Sequence, residues 1–296
     1  HSLFVDTLRS CRILALGFQF GSSLHTENDK KVNLLGRLVD HARVTAEYSV
    51  FYGEGRDDYD IPGRTAHECI FNVNDGNFRC VNTQQGYSGF STWTRGLAWA
   101  MLGFSELLEF LETVPEQDLE EWGGKKLIGE TWLKAARATC DFYIEHTPLD
   151  GIPYWDTGAP GLARLGNYLE RASDPFNDME PVDSSAAAIG AQGLLRLGKF
   201  LIARGLDKDG QEYFQAGLTV ASHLFDDPYL SREADHQGLI LHSIYHRPMG
   251  WDYVPDGSSI PRGESSMWGD YHARELALYL QRVFRKEPYY TFFFNK

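Results

Sequence analysis

Between Thr83 and Trp99 the chain reads Thr-Gln-Gln-Gly-Tyr-Ser-Gly-Phe-Ser-Thr-Trp-Thr-Arg-Gly-Leu-Ala-Trp, which sets an amide, aromatic rings and a guanidinium at the start of an apolar helix. Gln85 can hydrogen-bond hydroxyls in both directions and Arg95 can fork onto a carboxylate. Trp93 or Trp99, whichever faces a cleft, can lie flat against the C–H face of a sugar ring. Arg95 and Trp99 are four residues apart, so they share one helix face about a turn apart and can touch one ligand. The mix suits a sugar ring and its carboxylate. It also fits a plain alternative, in which both tryptophans are core and Arg95 is an exposed helix-start residue, since large aromatics mostly pack inside.

Other polar residues carry the same two readings. From its position alone Asp6 is an N-cap or first-turn residue stabilising a helix end by ~1 kcal/mol, and His67 is a hydrogen-bonded strand residue. Asp183, just before Ser184-Ser-Ala-Ala-Ala, reads as a helix cap, while Asp156 is open as a second carboxylate. His242 and His246 are four apart with His236 nearby, a spacing that would suit a metal on a helix. The flanking Pro248 and Gly250 favour a hairpin instead, where residues so spaced share a face but lie ~13 Å apart. No metal or other cofactor is expected.

A net charge of −13 and the lack of any basic run argue against a nucleic-acid partner. A small anion remains a suitable ligand if the site supplies its own arginine, because distant charges are screened within about a Debye length. No apolar run approaches the ~20 residues of a membrane span, and the chain opens at His1-Ser-Leu-Phe without a charged-then-apolar leader, so a soluble form is expected. Cys11, Cys69, Cys80 and Cys140 show no Cys-x-x-Cys spacing. Cys69 and Cys80 flank an Asn-Asp-Gly turn, but a tight hairpin there pairs Cys80 with Phe71 and leaves Cys69 out of register. Reduced thiols follow, which suits a cytoplasmic protein and leaves the periplasm open; oligomeric state is not set.

The elements that must hold these residues are mostly helical. Apolar positions recur at helical spacing over roughly 6–21, 30–51, 93–113, 127–146, 184–204, 211–225 and 270–285. Gly, Pro and Asp-rich stretches such as Asp150-Gly-Ile-Pro-Tyr-Trp-Asp156 separate them. Asn74-Asp75-Gly76 marks a hairpin between 65 and 81, and a weaker one is expected over 238–253. Asp57-Asp-Tyr-Asp60 reads as a solvated loop. With no fixed-period repeat and no linker, residues 1–296 are expected to form a single domain.

Three segments together resemble the unsaturated glucuronyl hydrolases, glycosidases built on an (α/α)6 barrel: Ser91-Thr-Trp-Thr-Arg-Gly-Leu-Ala-Trp-Ala-Met-Leu-Gly-Phe104, Gly151-Ile-Pro-Tyr-Trp-Asp156 and Asp183-Ser-Ser-Ala-Ala-Ala-Ile189. They occur in the family's order. The signature helix start has Gln where this chain has Leu97. Phe4-Val-Asp-Thr-Leu-Arg-Ser-Cys-Arg-Ile-Leu14 is similar to the family's strand-free, helix-opening segment with the catalytic aspartate, with Ser10 in place of Asn and arginines at 9 and 12. The resemblance implies Asp6 as the acid/base, His67, Gln85, Arg95 and Trp99 as substrate-binding residues, and an all-α toroid, or the later two-thirds of one, with short β-hairpins in its loops.

It further implies the substrate, an oligosaccharide whose nonreducing end is the 4,5-unsaturated uronic acid left by a polysaccharide lyase. That sugar is an enol ether, protonated at C4 while water adds at C5; the hemiketal then opens and releases the aglycone. An exposed Asp, near ~3.9, would be ionised at neutral pH, so Asp6 needs an environment that raises its pKa. The family's second aspartate, in a His-Asp pair, and a stacking Trp precede the matching region. Two alternatives therefore stand beside this expectation: an unsaturated rhamnogalacturonyl hydrolase and a non-catalytic carbohydrate-binding homologue.

Overall fold

The structure is a computed structural model that describes residues 1–294. Seven α-helices lie among the described residues: α1 Cys11–Gln19, α2 Leu34–Val44, α3 Thr94–Leu111, α4 Gly124–Glu145, α5 Ser184–Ile202, α6 Asp207–Leu224 and α7 Met267–Phe284. They match the seven apolar-periodic segments. A 3-10 turn, Val5–Ser10, leads into α1, and a π turn, Thr45–Ser49, extends α2.

Their sequences sort them into two layers. α3 and α5 are buried on nearly every side, as expected of helices that are apolar all round. α6 instead buries one stripe, Gly210, Tyr213, Gly217, Val220, Ala221 and Leu224, and turns polar residues outward. The Val5 turn, α3, α5 and α7 pack side by side as an inner row, while α2, α4 and α6 back onto α1, α3 and α5 from outside. Because the chain alternates inner and outer, all inner elements run the same way. The result is an arc of an α/α toroid, and no helix of the described residues is long and apolar enough to cross a membrane.

The α3–α5 and α5–α6 crossings are close because glycines face them. A Cβ on Gly193 would meet the Met101 and Leu102 backbone at 2.8 and 2.9 Å, and one on Gly198 would meet the Gly210 carbonyl at 2.7 Å. Between the inner helices lies a charge cluster of three arginines and three glutamates. Arg9 and Arg12 both bind Glu106, Arg12 reaches Glu275 at 3.5 Å, and Arg196 binds Glu109 at 2.7 Å. The tail after α7 returns to α3, where Phe293 packs on Phe110, and to α1, where Phe294 exchanges two 3.0 Å hydrogen bonds with Gln19.

Short strands lead into the inner row. β1 Ser2–Phe4, β4 Glu68–Phe71 and β5 Phe78–Asn82 form an antiparallel sheet in the order β1-β4-β5; β2 Leu24–His25 pairs with β3 Lys31–Val32. The segment before Asp6 is thus not strand-free, since β4 recruits Ser2–Phe4 as an edge. A bulge between Ile70 and Phe71 moves Cys80 opposite Ile70, not Phe71, and Cys69 opposite Val81; an extra residue in one strand shifts the register in this way. The expected hairpin over 238–253 is absent: one bridge, Leu230↔Ile240, and a 3-10 turn, Arg247–Met249, are all it contains. Pro248 removes a ladder donor there. The 57–60 loop is exposed but ordered by Asp60, whose carboxylate accepts the backbone N–H groups of Gly53, Glu54 and Arg56.

Candidate active site

The starts of the inner elements converge on the Arg95 guanidinium. α3 has no side-chain cap; its first N–H donates to the Trp155 carbonyl at 3.1 Å. Arg95 then points across to the start of α5, where Asp183 both caps the helix through Ser185 and Ala186 and accepts from Arg95 Nη1 at 2.9 Å. Nη1 also donates to the Ile244 carbonyl, and Nη2 donates to Gln85 Oε1 at 2.9 Å and the Tyr245 carbonyl at 2.8 Å. Four of its five N–H donors are therefore held by the protein itself. Trp93 and Trp268, with ring centroids 4.7 and 5.0 Å from the guanidinium carbon, flank it.

Asp6 comes from the Val5–Ser10 turn. The Val5 N–H donates to the His67 carbonyl at 2.9 Å, so the β1–β4 pairing sets Asp6 beside His67. Asp6 Oδ1 is buried with no hydrogen-bond partner. Burial raises its pKa, against the lowering effects of local backbone N–H groups and of the Arg95 charge. The causes include no neighbouring carboxylate. Helix N-termini carry partial positive charge, so the place where these starts meet favours an anion.

His67 is 3 % exposed and its ring packs 4.5 Å from Trp93 and 5.3 Å from Phe4. Its Nδ1 accepts the backbone N–H groups of Gln84 and Gln85 at 3.1 and 3.3 Å. That leaves the proton on Nε2, which has no partner among the described residues. Burial, with the Arg95 and His246 charges adding, pushes its pKa down to about 4, so the ring is a neutral donor at ordinary pH. Trp99 is half-buried one turn along from Arg95, whereas Trp93 is 3 % exposed; of the two tryptophans, Trp99 is the one open to solvent.

Five residues proposed from sequence thus fall into two sets. Asp6, His67, Gln85 and Arg95 gather around the helix starts, and Trp99 lies a turn deeper against Arg9 and His272. Asp156 is fully buried and pins loops together: its oxygens accept the N–H groups of Tyr87 and Gly158, each at 2.8 Å, and burial pushes it up to about 6. His242 is buried, accepting from the Gly263 N–H at 3.2 Å, and the His246 ring lies tilted 4.9 Å from Trp251. No group of three or more His, Cys, Asp or Glu side chains among the described residues is arranged to hold a metal. Arg262 ties its loop to the segment before α5 by donating to the Phe176 carbonyl, and Ser258 donates to the Ile260 carbonyl of its own loop. Sequence reasoning missed the Ile244 and Tyr245 carbonyls, Trp268, and Asp252, which holds the Tyr245 and His246 N–H groups. The Trp268-Gly-Asp run at the start of α7 was the available signal.

An arc of paired inner and outer helices, with an acid, a buried arginine and tryptophans near the starts of the inner row, defines the chain as part of an α/α toroid. The chain is 30% identical over 216 residues to the unsaturated glucuronyl hydrolase of Bacillus sp. (strain GL1), covering 73% of this chain and 46% of that protein. It is 27% identical over 281 residues to the unsaturated chondroitin disaccharide hydrolase of Streptococcus pyogenes serotype M1, covering 94% and 55%. The crystal structure of unsaturated glucuronyl hydrolase from Bacillus sp. GL1 superposes with a TM-score of 0.67 at 24% identity, covering 95% of this chain and 59% of that one. No family model matches. The chain belongs to the unsaturated glucuronyl hydrolase family, and it spans about half the length of the curated relatives it matches.

Proposed function

We propose that the protein is a glycoside hydrolase that removes a 4,5-unsaturated uronic acid from the nonreducing end of lyase-generated oligosaccharides. The observation that carries this reading is the Asp6 carboxyl, buried, unpartnered at Oδ1 and raised in pKa, set in the field of Arg95. A carboxyl so placed keeps its proton closer to neutral pH and can deliver it to C4. Water then adds at C5 and gives its proton to the carboxylate just formed, so Asp6 ends as it began. The hemiketal at C5 opens and the aglycone leaves.

Arg95 supplies fixed positive charge beneath the substrate carboxylate. Since its terminal nitrogens are occupied, a direct fork requires Gln85 Oε1 or the Tyr245 carbonyl to release the Arg95 N–H that it accepts; Gln85 is half-buried, and its amide nitrogen can turn to a sugar hydroxyl. His67 offers Nε2–H to a ring oxygen, and Trp99 supplies a stacking face. Relatives named for glucuronyl and chondroitin disaccharide substrates favour glycosaminoglycan-type fragments over rhamnogalacturonan ones.

The lack of a carboxylate acting on Asp6 favours one other reading, a homologue that binds such sugars without turning them over. Loss of the ultraviolet absorbance of the C4=C5 bond separates the two. The wild-type chain should abolish that absorbance, and Asp6→Asn should slow the loss by roughly 10²–10⁴-fold. A persistent chromophore with measurable binding would establish the binder, and full turnover by Asp6→Asn would remove Asp6 from the chemistry.

A further inference from the structure

His272, on the inner face of α7, is 3 % exposed. Its ring meets the Trp99 indole nearly at right angles, 76°, with centroids 5.0 Å apart. The Arg9 guanidinium, 5.6 Å from its centroid and held by Glu106 at 2.6 Å, also neighbours that indole, which packs against the Ala98, Leu102, Ala186 and Ile189 cluster. Packing alone does not require an imidazole at this position, and a buried polar ring is costly unless hydrogen-bonded. A second buried polar residue answers it. Gln192 of α5, wholly buried, directs its amide nitrogen at the His272 carbonyl at 3.1 Å, at Nδ1 at 2.9 Å, and at the Ala188 carbonyl at 3.3 Å. Two carbonyl acceptors identify that amide atom as nitrogen, and Glu275 Oε2 of the same helix lies 3.3 Å from Nδ1 as well, so the ring is held at Nδ1 from α5 and from α7. An imidazole tied at Nδ1 is fixed in rotation about its Cβ–Cγ bond.

We propose that His272, locked by Gln192, is a positioning residue that sets the tilt of Trp99 and with it the seat of the sugar ring. This rests on the reading of the site given above. A stacking ring contributes to ground state and transition state alike, so loosening it raises KM and leaves kcat in place. His272→Phe keeps a ring in the same space and leaves Gln192 its two backbone carbonyl acceptors but removes the contact at Nδ1, and Gln192→Leu removes that contact from the other side. Each should raise KM for an unsaturated disaccharide by roughly threefold to tenfold, with kcat within about twofold and the melting temperature of His272→Phe close to wild type. The double variant should be no worse than either single one, because both break one coupling. A wild-type KM in His272→Phe or Gln192→Leu, additive effects, or a loss confined to kcat would each overturn the proposal. If the wild-type chain neither turns over the disaccharide nor shows tryptophan-fluorescence quenching with it, the reading of the site falls and this inference with it; binding without turnover moves the same comparison to Kd.

Discussion

At the scale of single residues the site is governed by burial. His67 titrates near 4 because its ring is dried and faces the Arg95 charge; an unfolded histidine titrates at ~6.5. Between those values the unfolded chain takes up a proton that the native chain refuses, so the contribution of His67 is complete above ~6.5 and is lost as pH falls through about 4. Nuclear magnetic resonance should show a neutral His67 ring at pH ~5, and His67→Gln should flatten the acid limb of stability over that window; a ring titrating at the ordinary value would refute the burial argument. Asp156, raised to about 6, works oppositely: its contribution is complete below ~3.8 and fades as pH rises through about 6. Gln85, Arg95 and Trp99 were legible in the sequence because they lie within one turn-and-helix segment, where spacing fixes direction. The Ile244 and Tyr245 carbonyls were not, since they reach Arg95 across 149 and 150 residues and backbone groups leave no composition signal.

Among the elements, the α3–α5 crossing depends on a missing side chain. Ser105 Oγ of α3 donates to the Gly193 carbonyl of α5 at 3.1 Å, and a methyl group on Gly193 would meet α3 backbone rather than a movable side chain. Gly193→Ala should therefore destabilise by about 1–3 kcal/mol despite better helix propensity; calorimetry showing an unchanged or higher melting temperature would count against so close a crossing. Helix positions were readable because a stripe repeating every three or four residues is a local property. Strand details were less so. Ser2–Phe4 became a strand only because β4 offered an unpaired edge, and the bulge at Ile70–Phe71 has no distinctive residue to announce it. The 238–253 segment misled because the backbone N–H groups of Leu239 and Ile240 donate to the Asp270 carboxylate at the start of α7 instead of to a partner strand.

For the whole molecule, charge and arrangement oppose each other. A net charge of −13 repels any anion at long range, the proposed uronate included, while converging helix starts and Arg95 would attract it at contact. Screening weakens the first more than the second, so KM should fall as salt rises from ~0.01 to ~0.15 M and then level off. A KM that climbs steadily across that range would mean that exposed positive charge, not the buried arginine, draws the sugar in. The three-arginine, three-glutamate cluster between the inner helices bears on a different variable. Drying charged groups is less costly when hot, because their hydration carries a strongly negative entropy. Arg9, Arg12, Arg196 and their partners thus weigh most heavily against the native state near freezing and least on warming, which tilts the range in which this toroid holds together toward the warm side.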